Sequence, residues 1–431
     1  MDGSDLTQLP DPLPDDVSPG SVVLLLGAGF SAGAGLPTMS NFGNASRHEL
    51  KALRELAESS MAPDPPVAYS GPMLVEAGRT FQRFQDYCCK ASPVVALDTS
   101  NMEELFCIAE SLRESHVPKG GPDDDSPVLH MDGDSYSIDY LMEQIQLWLW
   151  KIYQQLPPAS PENPDAVSQA EPYLRLIKQL RADHVSNLTI LTTNYDIVFE
   201  YFAHRGGMPC WYPIKLLEHL SVKDGRSSFL ALGKPGPCIC KLHGSINYFE
   251  GQCLHYREVC KDTIDDEWLG ISAELTKLDD RIGGSRVSSA NPAILAVGAI
   301  WALRAKYGPH ITPAIIAPTY AKLRARLWLR ETWAAAVGSI RNARLLLIIG
   351  YSMPPSDGFM RAMIQAAMIQ RSPDNPLIVY VVDPANAVKD RYQELFKPLA
   401  RNLIFVPHRF DEWIMSDDQI VSELLSRARC R

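Results

Sequence analysis

Closely spaced glycines follow a short apolar segment near the start of the chain, a combination that could bind a nucleotide. Residues 22–26 are a continuous apolar run, which is typical of a buried strand in a parallel sheet. The segment that follows contains Gly27, Ala28, Gly29, Phe30, Ser31, Gly33 and Gly35. Glycines allow a tight turn close to a ligand, and a helix beginning near Ser31 would point its free N–H groups at a pyrophosphate. The alternative is a glycine-rich turn that serves only packing.

A second apolar run ends in small polar side chains. Residues 188–192 predict a strand, Thr193, Asn194 and Asp196 follow it, and residues 197–202 are typical of a helix. The carboxyl ends of parallel strands are where α/β folds place their ligand-binding groups. Asn194 or Asp196 could instead cap the following helix, which contributes about 1 kcal/mol.

A third apolar segment is followed by a histidine. Residues 238–242 predict a short strand, and His243 and Gly244 come directly after it. With an ordinary pKa of about 6.5, a histidine can accept a proton at neutral pH and act as a general base. A lone histidine at a strand end is also a common structural residue, so the catalytic interpretation depends on its place in an ordered set of motifs.

Two further strands are predicted towards the end of the chain. Residues 344–349 form the best-defined apolar strand, and residues 376–382 form the next one. The residues that could bind a ligand at these two strand ends are Gly350, Ser352, Asp383 and Asn386. Asp383 precedes a proline, so it could alternatively belong to an ordinary turn.

These motifs, in this order, resemble the NAD-binding residues of sirtuins. The glycine loop, the Asn194 and Asp196 segment, the His-Gly pair and the Gly-x-Ser turn all have sirtuin counterparts. The sequences Thr-Asn-Tyr-Asp at 193–196, Gly-Tyr-Ser-x-Pro at 350–354 and Pro-Thr-x-x-Lys at 318–322 are more similar still to the sirtuin-like NAD-hydrolysing domains of bacterial antiviral (antiphage) defence systems. The resemblance implies an α/β fold with a Rossmann-like, doubly wound parallel sheet.

The same resemblance implies an NAD glycohydrolase, which cleaves NAD to nicotinamide and ADP-ribose. Asn194 would hold the nicotinamide ribose and orient a water, and His243 would accept a proton, so these are the implied catalytic residues. The residues implied to bind NAD are Gly27, Ala28, Gly29, Phe30, Ser31, Thr193, Asp196, Gly350, Ser352, Asp383 and Asn386. An NAD-dependent protein deacylase, an ADP-ribosyltransferase and a sensor that binds NAD or ADP-ribose without turnover are the alternatives.

Two features of deacetylating sirtuins are missing from the sequence. Those enzymes carry a structural zinc site with two Cys-x-x-Cys pairs, whereas none of the nine cysteines here forms such a pair. Cys253, His255 and Cys260 follow His243 at a spacing that does not match a structural site, so no zinc is expected. The Asp-Phe-Arg that follows the Gly-Ile-Pro of those enzymes is also absent after Pro37. Both losses disfavour deacetylation and leave NAD binding intact.

Composition and charge narrow the possible partners. The chain has 431 residues, of which 46% are hydrophobic and 21% charged, as in an ordinary globular protein. Its net charge of −10 argues against an intrinsic nucleic-acid surface, and no apolar run is long enough to span a membrane. Scattered cysteines without a secretory signal are typical of reduced thiols. We therefore expect a cytoplasmic protein that binds neither membranes nor nucleic acids directly.

The spacing of the predicted elements divides the chain into regions. We expect residues 1–20 to form a flexible tail and residues 21–45 and 185–431 to form the NAD-binding domain. Residues 46–184 are expected to form a large all-helical insertion, since their apolar residues recur at helical spacing.

Control of NAD hydrolysis is expected to come from assembly, because no further folded region is predicted for regulation. We expect a homo-oligomer, and the aromatic cluster of Trp148, Trp150 and Tyr153 is the candidate contact surface, although the same residues could belong to the core. Resembling defence proteins sit beside HerA-type hexameric ATPases or short Argonaute proteins, which makes either one a candidate partner.

Overall fold

The computed structural model describes most of the chain in separate ranges. The described residues are 21–38, 41–58, 65–91, 97–115, 127–153, 164–182, 188–208, 210, 212–213, 236–250, 271–272, 312–317, 327–372, 374–417 and 419–429. The expected tail at 1–20, the Pro-Thr-x-x-Lys segment and Cys253, His255 and Cys260 lie outside the described residues.

The strands and helices alternate along most of the chain. The strands are β1 (Ser21–Leu26), β2 (Val128–Met131), β3 (Asp134–Ser137), β4 (Leu188–Thr192), β5 (Cys238–Lys241), β6 (Gly244–Glu250), β7 (Ile271–Ser272), β8 (Thr312–Ile315), β9 (Ala343–Ile349), β10 (Ile378–Val382) and β11 (Leu403–Val406). The helices are α1 (Ala28–Ala32), α2 (Phe42–Glu58), α3 (Pro65–Ala91), α4 (Met102–Glu114), α5 (Ile138–Tyr153), α6 (Pro164–Ala182), α7 (Val198–Arg205), α8 (Leu327–Asn342), α9 (Gly358–Ile369), α10 (Asn386–Leu395), α11 (Phe410–Ser416) and α12 (Ile420–Arg429). Short 3-10 turns occupy Pro355–Asp357 and Lys397–Asn402.

Six parallel strands form the central sheet, in the order β11-β10-β9-β1-β4-β5. Counted along the chain, these strands lie in the order 6-5-4-1-2-3, which is the strand order of the Rossmann fold. Leu24 of β1 lies level with Ile190 on one side and with Leu347 on the other. The prediction of an α/β, Rossmann-like, doubly wound parallel sheet is confirmed.

Both faces of the sheet are covered, which explains why its strands are continuous apolar runs. Val22, Leu24 and Leu26 belong to one buried cluster, which they share with residues of α6, α7, α11 and α12. Val23 and Leu25 point to the other face, where they belong to a cluster with residues of α8, α9 and α10. Alternate side chains of β1 therefore pack against the two helical layers, one on each face of the sheet.

The long insertion between β1 and β4 is largely helical and packs as part of the same core. It also contains an antiparallel hairpin, in which β2 pairs with β3, so the prediction that residues 46–184 are all helical is wrong at this point. Its helix α5 lies against β8, and the Gln146 side chain donates a hydrogen bond to the Ile315 carbonyl at 2.9 Å. The insertion is therefore not a separately packed unit.

The aromatic cluster on α5 is part of this core. Trp148 and Trp150 are fully buried and Tyr153 is 3% exposed. The Trp148 indole donates to Ser46 Oγ at 2.7 Å, and the Trp150 indole donates to the Ile246 carbonyl at 3.1 Å. The prediction that these side chains form an oligomer contact surface is wrong, because they are already buried within one chain. Among the described helices, none combines the length and the apolar character needed to cross a membrane.

Candidate functional site

The site lies where the strand order of the sheet reverses. From β1 the chain continues to β4 and β5 on one side, whereas β9 leads to β10 and β11 on the other. The turns after β1 and β9 therefore meet at the carboxyl edge of the sheet. Gly27 N donates to the Ile349 carbonyl at 3.0 Å, and Gly29 N donates to the Gly350 carbonyl at 2.9 Å. In open α/β sheets, ligands bind in the crevice outside such a switch point.

Glycine is required in both turns because their backbones are in contact. A Cβ on Gly27 would lie 2.5 Å from the Gly350 carbonyl oxygen, and one on Gly350 would lie 2.4 Å from Phe30 N. Gly350 also has a φ of 61°, a region that residues with side chains rarely adopt. The glycines thus allow the two turns to pack closely, as the alternative interpretation of the glycine-rich turn predicted. This packing also shapes the crevice.

A cavity of about 210 Å³ lies beside these turns. The predicted site residues that line it are Ala28, Ser31, Thr193, Asn194, Asp196, Gly350 and Ser352. They come from the turn after β1, the turn after β4 and the turn after β9, so the structure brings the ends of three neighbouring strands together at one cavity.

Asn194 is held at the centre of this arrangement by a directional hydrogen-bond network. Its side-chain amide nitrogen donates to the Gly27 carbonyl at 2.8 Å and to Ser31 Oγ at 3.0 Å. Both amide hydrogens are thereby used, which leaves the side-chain carbonyl oxygen as the group that can accept a further hydrogen bond. The Ser31 hydroxyl in turn donates to the carboxylate of Asp196. Asn194 is therefore positioned to accept a hydrogen bond from a ligand hydroxyl or a water.

A buried ion pair lies beneath this network. Asp196 is 4% exposed, and its carboxylate accepts from Val198 N at 3.0 Å, which caps α7. Lys241, at the end of β5, donates to the Asp196 carbonyl and lies 3.2 Å from the Glu200 carboxylate. Burial raises the pKa of Asp196, and the nearby Lys241 opposes that shift. Asp196 therefore caps the following helix, as one of the two sequence interpretations predicted, and it also lines the cavity.

His243 lies in a second buried network, outside the cavity lining described above. Its side chain is fully buried, and Nε2 is 2.9 Å from Asp357 Oδ2. The Tyr351 hydroxyl donates to the same carboxylate oxygen at 2.8 Å, and Tyr351 does line the cavity. Asp357 also caps α9 by accepting from Met360 N. His243 therefore connects to the cavity through Asp357 and Tyr351, and its ring centroid lies 6.4 Å from that of Tyr195, which also lines the cavity. Its role as general base stays a prediction.

Five predicted NAD-binding residues lie outside the described cavity lining. Two of them, Gly27 and Gly29, belong to the packed turn after β1. Phe30 is 2% exposed, and its ring packs into the core against Phe410 at a centroid distance of 4.7 Å. Asp383 follows β10, and its carboxylate accepts a hydrogen bond from Ala385 N at 2.9 Å. This is the ordinary turn that the sequence analysis gave as the alternative for Asp383. Asn386 is exposed at the start of α10. Asp383 and Asn386 share the carboxyl edge of the sheet with the cavity, one strand beyond β9.

The sequence interpretation missed one wall of the cavity, which comes from the helical insertion. Asp98, Asn101 and Glu103 line it at the start of α4, and Tyr153 lines it from the end of α5. Asn101 caps α4, because its side-chain oxygen accepts from the backbone N of Glu103 at 3.0 Å. An Asn followed by acidic residues at a helix start is a recognisable capping signal, but nothing local indicates that this helix reaches the sheet edge.

Within the described part of the chain, no group of three or more His, Cys, Asp or Glu side chains could hold a metal ion. None of the described cysteines forms a disulfide. Cys240 is buried, and its hydrogen bond with Cys238 and its burial raise its pKa. The expectation of no zinc stays a prediction, since the cysteines that concern it lie outside the described residues.

Among solved structures, the chain is similar in fold to sirtuins, at low scores. One is a Sir2 crystal structure with the inhibitor EX-527, 2′-O-acetyl-ADP-ribose and a deacetylated p53 peptide, at a TM-score of 0.33 and 11% identity over 94% of this chain and 95% of that one. Another, which concerns sirtuin substrate affinity, has a TM-score of 0.33 and 11% identity over 92% of each chain. No family model and no curated protein sequence matches the chain. At these scores the likeness carries no argument, and the strand order alone establishes the fold.

Proposed function

We propose that the cavity binds the nicotinamide ribose of NAD and that the protein hydrolyses NAD to nicotinamide and ADP-ribose. The observation that carries this proposal is the position of Asn194, held beside two packed glycine turns at the switch point of a Rossmann-ordered sheet. Dinucleotides bind across the crevice at this point of such sheets. The resemblance of the motifs to sirtuin-like NAD-hydrolysing domains supports the same substrate.

The size of the cavity suits part of a dinucleotide. Its volume of about 210 Å³ is below the roughly 300–1,000 Å³ of pockets that enclose a whole small ligand. In this proposal the nicotinamide ribose occupies the cavity, and the pyrophosphate runs over Ala28 and the turn at Gly350. The adenosine then extends along the sheet edge towards Asp383 and Asn386, which follow the next strand.

The reaction breaks the bond between the ribose C1′ and the nicotinamide nitrogen. The bonding electron pair leaves with nicotinamide, which becomes neutral, and positive charge develops on the ribose. A water oxygen then bonds to C1′ and releases a proton, so the products are nicotinamide, ADP-ribose and one proton. The free side-chain oxygen of Asn194 would hold a ribose hydroxyl or orient this water. His243 would support the reaction by fixing Asp357 and Tyr351, or as the proton acceptor that its sequence position predicts.

Nicotinamide release from NAD, measured with and without an acylated peptide, tests the proposal. We expect release without peptide, and we expect Asn194→Ala to lower it by about 10²–10³-fold, the usual effect of removing one preorganised polar contact. Asn342→Ala is the matched control, because Asn342 is exposed at the end of α8, directly before β9 and therefore at the opposite edge of the sheet. Release that requires the peptide would support a deacylase, and binding without release would support a sensor.

We further propose that this activity serves antiphage defence and is controlled by a homo-oligomer and a partner, either a HerA-type ATPase or a short Argonaute protein. The resemblance of the motifs to defence domains supports this. Light scattering and nicotinamide release, measured on one sample with and without each partner, would test it. A monomer that hydrolyses NAD at full rate alone would contradict control by assembly.

A further inference from the structure

The described wall of the cavity carries negative charge and no positive charge. Asp98, Glu103 and Asp196 line it, whereas no Lys, Arg or His is found among its described lining residues. Two of these carboxylates are buried, since Glu103 is 8% exposed and Asp196 is 4% exposed. Buried carboxylates in a small cavity strongly favour a cationic ligand, because their field is poorly screened by water.

The three carboxylates differ in what they are able to do. The carboxylate of Asp196 accepts hydrogen bonds from Val198 N and the Ser31 hydroxyl, and its backbone carbonyl accepts one from Lys241. Asp98 is exposed, and its carboxylate accepts both the backbone N and the hydroxyl of Ser100. Glu103 is the buried carboxylate that comes from the helical insertion, and so from a different wall than Asn194.

The position of Glu103 is fixed by the start of α4. Asn101 caps this helix by accepting from the backbone N of Glu103, so the carboxylate stands in the first helical turn, where the helix dipole stabilises acidic side chains. Its charge acts on two tyrosines of the cavity wall. Burial raises the pKa of Tyr153 and of Tyr195, and the charge of Glu103 is the next cause for both. Glu103 and both tyrosines line the same cavity.

We propose that Glu103 is a further catalytic residue, whose carboxylate faces the nicotinamide ribose and stabilises the positive charge that develops on it. This inference rests on the proposed NAD hydrolysis. Oxidised NAD carries a positive charge on its nicotinamide ring. When the bond to C1′ breaks, that charge moves to the ribose while the electron pair leaves with nicotinamide. A fixed carboxylate in a water-poor cavity favours this state, as carboxylates do for the cationic transition states of glycoside hydrolysis.

The negative charge of Glu103 should also make the protein bind oxidised NAD in preference to ADP-ribose. Glu103 attracts oxidised NAD, whose ring is cationic, and gives no such advantage to ADP-ribose, which lacks that ring. The prediction concerns binding as well as turnover, so it can be measured independently of the reaction. It also gives α4 a function, because this helix places the Glu103 carboxylate beside strand ends that are distant from it in sequence.

The test compares Glu103→Gln, which keeps the side-chain shape and removes the charge, with Glu104→Gln, its half-buried neighbour outside the cavity lining. Nicotinamide release gives kcat and KM, calorimetry gives the affinities for oxidised NAD and for ADP-ribose, and thermal unfolding confirms that each variant is folded. We expect Glu103→Gln to lower kcat by about 10²–10³-fold. It should also weaken binding of NAD, while its affinity for ADP-ribose and all properties of Glu104→Gln stay those of the parent.

Each result decides the proposal. A folded Glu103→Gln protein that binds and cleaves NAD like its parent would overturn the role of Glu103 and leave the proposed hydrolase standing. Equal losses of NAD and ADP-ribose binding would assign Glu103 a merely structural role. A parent protein that neither binds nor cleaves NAD, alone or with its partner, would overturn the proposed function and this inference together.

Discussion

Replacing Lys241 by methionine tests the electrostatic balance beneath the cavity. The ammonium group of Lys241, which is 1% exposed, bonds the Asp196 carbonyl and lies 3.2 Å from the Glu200 carboxylate. Methionine keeps most of the apolar stem and removes the charge, so Glu200 and Asp196 are left buried without their cation. Breaking a buried ion pair in this way costs about 3–5 kcal/mol, a large part of the roughly 5–15 kcal/mol that stabilises a typical domain.

The free energy of unfolding that Lys241→Met loses should increase as the pH rises. Burial already raises the folded-state pKa of Asp196, so its contribution to stability is greatest below its unfolded pKa of about 3.9 and is lost as the pH rises through the folded value. Without Lys241 to oppose burial, the folded pKa rises further. The deficit of Lys241→Met relative to the parent should therefore be smallest in acid and grow as the pH rises towards neutral.

Urea unfolding at several pH values measures this deficit. Lys178→Met is the control, because Lys178 is exposed on α6 and its loss should change the free energy of unfolding by less than about 0.5 kcal/mol. Adding Glu200→Gln to Lys241→Met should restore part of the loss, since one uncompensated charge is removed. A Lys241→Met protein as stable as the control, or a deficit that shrinks towards neutral pH, would refute the argument.

Three shorter predictions concern the crevice and the opposite edge of the sheet. Gly350→Ala should lower the melting temperature and abolish NAD binding, because its Cβ would lie 2.4 Å from Phe30 N; retained binding would contradict the packed-turn geometry. Ser31→Ala should cost about 1–3 kcal/mol of unfolding free energy in denaturant titrations, since it strands an amide hydrogen of Asn194. Arg344→Met should raise the melting temperature, because Arg344 is fully buried, burial lowers its pKa, and its guanidinium nitrogens have no hydrogen-bond partner within the structure described. A fall would indicate a compensating anion.

The sheet was predictable because its strands are covered on both faces. The apolar runs at 22–26, 344–349 and 376–382 correspond to β1, β9 and β10 within two residues at each end. The hairpin of β2 and β3 was missed, although Asp132-Gly133 between them is a strong hairpin signal. Both residues have positive φ, at 52° and 91°. Its strands are half-exposed and short, so they lack the apolar run on which the other predictions relied.

The site was predictable only where it follows a strand. Asn194 was identified because it follows a predicted strand, Ser31 because it lies in the glycine-rich turn after another, and both match the sirtuin motifs. The structure places both at the cavity. The partner of His243 was not predictable, since Asp357 is 114 positions away in sequence. The wall that contains Glu103 was missed for the same reason, because its place is set by tertiary packing rather than by any local pattern.

The insertion therefore forms part of the cavity wall and packs with the sheet in one core. Its helix α5 is joined to the sheet region by the bond from Trp150 to the Ile246 carbonyl and by that from Gln146 to the Ile315 carbonyl. Helix α4 packs on α5 and brings Glu103 to the cavity. Because a strand end holds Asn194 and the insertion holds Glu103, a small shift of α4 on α5 would change the distance between these two side chains without disturbing the sheet.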